Sequence, residues 1–156
     1  MDVLKKLSVK YALMLCGVLV LCLIFLQLSG AKSFDNKSFV FVLYQFVAPA
    51  VVWYVGIKER KKQLGDKLTF KQGLRTGFNI SVVFGLISPI IFVLYYLFVN
   101  PAMLEYVRGA YQMTGASNTM VILADVVGQF ISAIIFGTLY AAIISLFLRT
   151  KSIQTA

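Results

Sequence analysis

The sequence VVGQFISAIIFGTLYAAIISLFL, residues 126–148, determines the class of fold, because its 23 residues are uncharged and mostly apolar. A helix of about 20 residues, rising about 1.5 Å per residue, crosses a hydrocarbon core of about 30 Å. A segment this long and this apolar has its lowest free energy in lipid. We therefore predict a transmembrane helix here.

Three more runs of this kind lie upstream, at residues 11–31, 38–57 and 76–104. The chain is 60% hydrophobic with a mean hydropathy of +0.85, whereas soluble domains are about 45–50% apolar. The connecting segments are too short to fold as separate soluble domains. We predict one integral membrane domain over residues 1–156, an all-α antiparallel bundle. Its four transmembrane helices are expected at about 9–30, 38–58, 72–99 and 121–149.

The Lys and Arg residues distinguish the two ends of this bundle. Seven of the 15 lie between the second and third runs, three precede the first, two follow the fourth, and three remain for the other side. By the positive-inside rule, both termini and the basic segment face the cytoplasm. Topology and anionic lipid thus account for the net charge of +9, and nucleic acid is not an expected partner. The residues predicted to contact anionic phospholipid are Lys58, Arg60, Lys61, Lys62, Lys67, Lys71 and Arg75.

Small residues recur at every fourth position in the third and fourth runs. Such stripes let two helix backbones approach closely, which favours helix association in lipid. We expect the stripes to face one another, with Gly77 near Ser145 and Gly85 near Gly137. Alternatively, they reflect only the usual composition of membrane helices, or one stripe faces another helix or a second copy of the chain. The protein partners left open are a second copy of the chain and another membrane protein. The positions are Gly73, Gly77, Ser81 and Gly85, then Ala133, Gly137, Ala141 and Ser145.

Local signals mark where several helices begin. Thr69 and Gln72 fit a capping box before the third transmembrane helix. Asn100 and Pro101 predict a cap followed by proline in the first turn of a short helix, and Thr119 is expected to cap the fourth transmembrane helix. The short helix is expected to lie on the outer surface as an amphipathic segment. Its apolar residues at helical spacing are Met103, Leu104, Tyr106, Val107, Ala110, Tyr111 and Met113.

Aromatic residues flank two of the runs. Trp53 and Tyr54 near the cytoplasmic side, and Tyr95 and Tyr96 near the outer side, are interpreted as interfacial anchors. Pro49 lies inside the second run and removes one backbone hydrogen bond, so it is expected to kink that helix.

Few residues suggest chemistry. The chain has no histidine, which excludes histidine-based metal sites, general bases and triads. Among six carboxylates only Asp125 borders a membrane run; it is either a functional residue or, as we favour, a carboxylate that reaches headgroup water near a helix N-terminus. Asn79 and Gln129 are expected to bond between helices or, with Asp125, to line a polar path. No cofactor, metal or catalytic residue is predicted.

The segment between the second and third runs resembles a known family. The sequences GIKERK at residues 56–61 and GDKLTFKQGLRTG at 65–77, with the Asn100-Pro101 step, are similar to the bacterial family called domain of unknown function 4199. The resemblance implies a small four-helix inner-membrane protein, mainly found in the Bacteroidetes. It implies no known activity, so it assigns no catalytic or binding residue.

Two functions remain open at this point. The first is a non-enzymatic structural or accessory bundle whose basic cytoplasmic loop contacts lipid. The second is a small transporter or channel that uses the polar path. An enzyme is not expected, because the membrane runs carry too few acids and bases for catalysis.

Overall fold

The computed structural model describes residues 2–29 and 42–150, and all regular secondary structure in this part of the chain is helical. The all-α class is therefore confirmed for the described residues. The five helices are α1 (Asp2–Leu28), α2 (Ala48–Gln63), α3 (Phe70–Leu94), α4 (Pro101–Ala110) and α5 (Asn118–Leu148). Two π-helical turns adjoin them, Leu43–Val47 before α2 and Tyr95–Val99 after α3.

Three helices are long and apolar enough to cross a membrane. They are Val3–Leu28, Phe70–Val99 and Asn118–Leu148. The chain therefore has the helices of a membrane protein. The other predicted span, at about 38–58, begins with residues 38–41, which lie outside the described residues, and its described part continues as helix to Gln63.

The helix starts test three of the predicted caps. The capping box is confirmed, because the backbone N–H of Gln72 donates to Thr69 Oγ1 at 3.2 Å and the N–H of Thr69 donates to Gln72 Oε1 at 2.9 Å. Pro101 lies in the first turn of α4 as predicted, but the Asn100 side chain does not cap it and donates instead to the Tyr95 hydroxyl at 3.3 Å. The Thr119 cap is wrong as well. Ser117, which has an extended backbone, accepts from the N–H of Met120, so α5 begins earlier than expected.

One end of the bundle brings together the start of α1, the α2–α3 connection and the end of α5. The Lys10 ammonium lies 2.8 Å from Glu59 Oε2. The backbone N–H of Thr150 donates to the Leu68 carbonyl at 2.9 Å, and the N–H of Leu68 donates to Thr150 Oγ1 at 3.0 Å. We call this region, residues 58–71 with Lys10 and Thr150, the basic end.

Helices α3 and α5 form the most extensive helix pair, along the two predicted stripes. A Cβ added to Gly77 would overlap Ala141, one added to Gly73 would overlap Ser145, and one added to Gly137 would overlap Ser81. A Cβ on Gly85 would lie 3.2 Å from Ala133 Cβ. The expected pairs Gly77 with Ser145 and Gly85 with Gly137 are therefore wrong by one helical turn. Periodicity determines the facing side of a helix, whereas the depth of pairing depends on the larger side chains around it.

Helix α4 lies across the end opposite the basic end. Met103, Leu104 and Val107 are buried in a cluster with Leu19 of α1 and Val121 of α5. The predicted short helix is therefore present, and its apolar face packs against the bundle.

The aromatic residues expected at the interfaces are mostly buried. Trp53 is 2% exposed, and its indole N–H donates to the Gly77 carbonyl at 3.2 Å. Tyr95 and Tyr96 are also buried, and only Tyr54 is well exposed. The anchor interpretation is wrong for the three buried rings, because their polar atoms find partners inside the bundle.

Candidate functional site

A cleft of about 370 Å³ lies between α2, α3, α4 and α5, on the α4 side of the bundle. Each long helix contributes one face, because its lining residues recur every three or four positions. The polar end of the cleft lies beneath α4, and the other end reaches toward the middle of α2. Its lining includes Trp53, Phe84, Ser88, Phe92, Tyr96, Tyr111, Asp125, Gln129, Ser132, Phe136, Gly137 and Tyr140.

Asp125 forms the polar end of the cleft. Its side chain is 7% exposed. Oδ2 accepts from the Tyr96 hydroxyl at 2.8 Å and from Gln129 Nε2 at 2.5 Å, while Oδ1 accepts from the Tyr111 hydroxyl at 3.5 Å. The carboxylate is thus held by three neutral donors from α5, the π turn after α3 and the segment after α4. The expectation that it reaches headgroup water is wrong, because these elements cover it.

The partners of Asp125 depend on two irregular segments. Tyr96 lies in the π turn Tyr95–Val99, whose extra residue per turn changes which side chains face α5. Tyr111 follows the last residue of α4, and a Cβ on Gly128 would lie 2.5 Å from its hydroxyl oxygen. Gly128 therefore leaves the space in which the Tyr111 hydroxyl approaches the carboxylate. Burial, and next the charge of Asp125, raise the pKa of Tyr111, so this hydroxyl stays protonated at neutral pH and serves as a donor.

The other end of the cleft is aromatic and closed. The rings of Trp53 and Tyr140 lie 6.2 Å apart between centroids. Trp53 Cζ2 would lie 2.8 Å from a Cβ on Gly137, so the indole rests directly on the α5 backbone. Beyond it, toward the basic end, Gly77 meets Ala141 and Gly73 meets Ser145. Close packing of α3 on α5 thus separates the cleft from the basic end.

The predicted site residues fall into separate regions. Asp125 and Gln129 meet in the cleft, but Asn79 is half-buried on α3 and is not part of the lining, so the structure does not bring the three together. The seven basic residues lie at or near the basic end, and none forms an ion pair with another described residue. Sequence reasoning did not identify Tyr96 and Tyr111 as polar partners. The only signal in the sequence was that one tyrosine lies near the outer end of the third run and another lies in the segment that precedes Asp125.

A second crevice lies between α1 and α3. Its lining is almost wholly apolar, with Gln27 and Tyr95 as its polar members. The Tyr95 hydroxyl donates to Gln27 Oε1 at 3.4 Å. Leu28 and Phe98 beside it are exposed, as expected for side chains that face lipid acyl chains.

Comparison with known sequences and structures identifies one matching protein family. The family described as "Protein of unknown function (DUF4199)" matches residues 10–150. No curated protein matches the chain, and no solved structure does.

Proposed function

Because the chain belongs to the DUF4199 family of proteins of unknown function, we propose a function from its own geometry: it is a membrane protein that binds a small ligand in the cleft ending at Asp125. The cleft carries this proposal. A buried carboxylate held by three side chains, at the head of an otherwise largely apolar cavity, is typical of a binding site, in which few polar groups fix the orientation of a ligand.

The proposed setting is the bacterial inner membrane, crossed four times. The described helix at residues 42–63 would then complete the second span together with residues 38–41. Both termini and the basic end would face the cytoplasm, as the distribution of Lys and Arg favours. The cleft would lie in the outer half of the bilayer.

We propose binding without catalysis. The Asp125 carboxylate is engaged by Tyr96, Gln129 and Tyr111, and the chain contains no histidine to act as a general base at neutral pH. The close packing of Gly77 on Ala141 supports a binding site closed toward the basic end over an open channel. Transport through the same site would require α3 and α5 to separate there.

A structural or accessory role is the second candidate, and one observation favours it. The seven basic residues have no ion-pair partner among the described residues, although Lys58 lies over the Tyr54 ring at 5.5 Å. Each Lys or Arg near an anionic leaflet is worth about 1 kcal/mol of attraction. Anionic phospholipid is therefore the proposed partner of the basic end, and a second copy of the chain or another membrane protein is the proposed partner of the remaining lipid-facing surface.

Filling the cleft tests the primary proposal. Ser132 is an exposed residue of the lining, whereas its neighbour Ile131 is 50% exposed and not part of the lining. We expect wild-type protein released from nanodiscs to carry a one-to-one small-molecule adduct in its native mass spectrum. Ser132→Phe should lose this adduct, because a ring would occupy the cleft, and Ile131→Phe should keep it.

The comparison is decisive in either direction if both variants unfold near the wild-type temperature. An adduct retained equally by Ser132→Phe, or missing from the wild-type protein, would mean that the cleft is not a binding site.

A further inference from the structure

We propose that the ligand is a single-chain amphiphile whose head is a protonated amine, with the amine on Asp125 and the alkyl chain directed toward Trp53. This inference rests on the proposed function of the cleft as a binding site. It adds the chemical class of the ligand.

The charge of the cleft points to a cation. Asp125 is 7% exposed, so burial disfavours a lone charge on it, whereas its three neutral donors favour the ionised form without neutralising it. No Lys or Arg among residues 2–29 and 42–150 forms an ion pair with it. Arg108, on α4, bonds instead to Glu105, to the Ala116 carbonyl and to Asn118. A buried charge without a counterion is unfavourable, so a bound ammonium would supply what the described side chains lack.

The hydrogen bonds leave one acceptor for that ammonium. Oδ2 of Asp125 already has two short bonds, from Tyr96 and Gln129. Oδ1 has only the 3.5 Å contact with the Tyr111 hydroxyl. An ammonium carries three N–H donors and no acceptor. It therefore fits Oδ1 as a donor, and a carboxylate or phosphate head would instead be repelled.

The length of the cleft points to an alkyl chain. Its lining on α5 runs from Asp125 to Tyr140, and the part from Asp125 to Gly137, on which Trp53 rests, is about 18 Å long at 1.5 Å per residue. Phe84 and Phe92 of α3 and Phe136 of α5 line this distance. A C–C bond of about 1.5 Å advances an extended zigzag by about 1.25 Å, so after about 3 Å for the ammonium–carboxylate contact roughly a dozen carbons cover the rest. A volume of about 370 Å³ holds roughly twelve groups the size of a water molecule, so there is space for one chain and not for two.

The cleft is open on one side of α5, and this opening supports a ligand that enters from the membrane. Phe136 is 52% exposed although it lines the cleft, and Ser132 is exposed as well. Both lie in the central part of α5, at the depth of lipid acyl chains in the proposed topology. An amphiphile can reach this opening by lateral diffusion in the bilayer.

The only tryptophan of the chain, Trp53, reports directly on the far end of the cleft. The protein is reconstituted in nanodiscs and titrated with a twelve-carbon primary amine brominated at the end of its chain, since bromine quenches indole fluorescence on contact. We expect saturable quenching of Trp53. The matched alcohol, with the same brominated chain and no charge, should need at least a tenfold higher concentration.

Two substitutions test whether the head of the ligand binds at Asp125. Asp125→Asn keeps the shape of the side chain and should weaken the amine at least tenfold while leaving the alcohol unchanged. Glu105→Gln removes an exposed carboxylate outside the cleft and should leave both titrations at wild-type values. A short primary amine without a chain should not compete at concentrations where the brominated amine saturates.

Each outcome decides part of the inference. Equal midpoints for amine and alcohol on the wild-type protein would overturn the charged head, without reliance on any variant. Competition by the short amine at equal concentration would overturn the alkyl chain and indicate a site for small soluble cations. If Ile131→Phe keeps and Ser132→Phe loses the native adduct while the amine shows no preference, only the ligand class fails and the cleft remains a binding site.

Discussion

Among individual residues, Asp125 has an environment that shows what the sequence could and could not predict. The sequence identified it as the one carboxylate beside a membrane run, but its burial depends on Tyr96 and Tyr111, which come from other segments. Contacts between residues 14 and 29 positions apart are set by tertiary packing and have no local pattern. Trp53 is a similar case, since its ring is anchored by the Gly77 carbonyl rather than by an interface.

Three glycines differ in what an added Cβ would meet. At Gly77 it would overlap Ala141, at Gly85 it would lie 3.1 Å from Phe130 Cδ2, and at Gly17 nothing lies within 4 Å. Gly77→Ala should therefore lower the free energy of unfolding by about 1–3 kcal/mol through overpacking. Gly85→Ala should cost less, because the Phe130 ring can shift. The measurement is the thermal unfolding midpoint in detergent, followed by circular dichroism.

The matched control is Gly17→Ala, which should unfold at or slightly above the wild-type temperature because alanine favours a helix. If Gly77→Ala behaves like Gly17→Ala, α3 and α5 do not pack as described.

For whole helices, the sequence predicted that a helix is present better than it predicted where the helix begins and which residues of two helices pair. All four long apolar runs overlap helices of the described residues, and the capping box of α3 lies where Thr69 and Gln72 indicated. Helix starts were less accurate, since Ser117 rather than Thr119 caps α5. The π turn Tyr95–Val99 was not anticipated, because no short-range pattern marks where a helix widens. It nevertheless positions Tyr96 for the cleft.

The link between α1 and α2 gives a prediction about pH. Glu59 Oε2 accepts from the Lys10 ammonium at 2.8 Å and from the Tyr11 hydroxyl at 2.5 Å, and the hydrogen bonds of Lys10 and Tyr11, in that order, lower the pKa of Glu59 below its usual 4.5. A carboxyl whose pKa is lower in the folded state stabilises the fold above the unfolded pKa, and this stabilisation is lost as the pH falls through the folded value. We expect wild-type protein to unfold at a higher temperature than Glu59→Gln at pH 7, and this gap to close below about pH 4.

Thermal unfolding of both proteins at several pH values measures the gap. Glu105→Gln serves as the control, because Glu105 is exposed and its gap to wild type should be small throughout. A gap for Glu59→Gln that stays constant from pH 7 to the acid range would show that the Lys10 and Tyr11 contacts do not stabilise the fold.

At the scale of the whole molecule, the two ends of the bundle differ in charge and in packing. The basic end joins Thr150 to Leu68 and Lys10 to Glu59, and close α3–α5 contacts lie just inside it. The opposite end is looser, since the cleft between α2, α3, α4 and α5 lies there. A sequence contains the charge asymmetry as a simple count, and the orientation drawn from that count stays a prediction. No sequence pattern predicts the cleft, because the cleft is the space that remains when the helices pack together.

The proposed topology assigns each end of the bundle to one side of the membrane, and labelling from one side tests this assignment. Lys62 lies exposed at the basic end, and Thr114 lies exposed between α4 and α5. Single cysteines are placed at these positions in a Cys16→Ser, Cys22→Ser background, from which both buried native thiols are removed. In intact spheroplasts a membrane-impermeant thiol reagent should modify Thr114→Cys and leave Lys62→Cys unmodified, whereas both should react after lysis. Modification of Lys62→Cys before lysis would reverse the orientation and place the cleft in the cytoplasmic half, where its amphiphile would have to come from the inner leaflet.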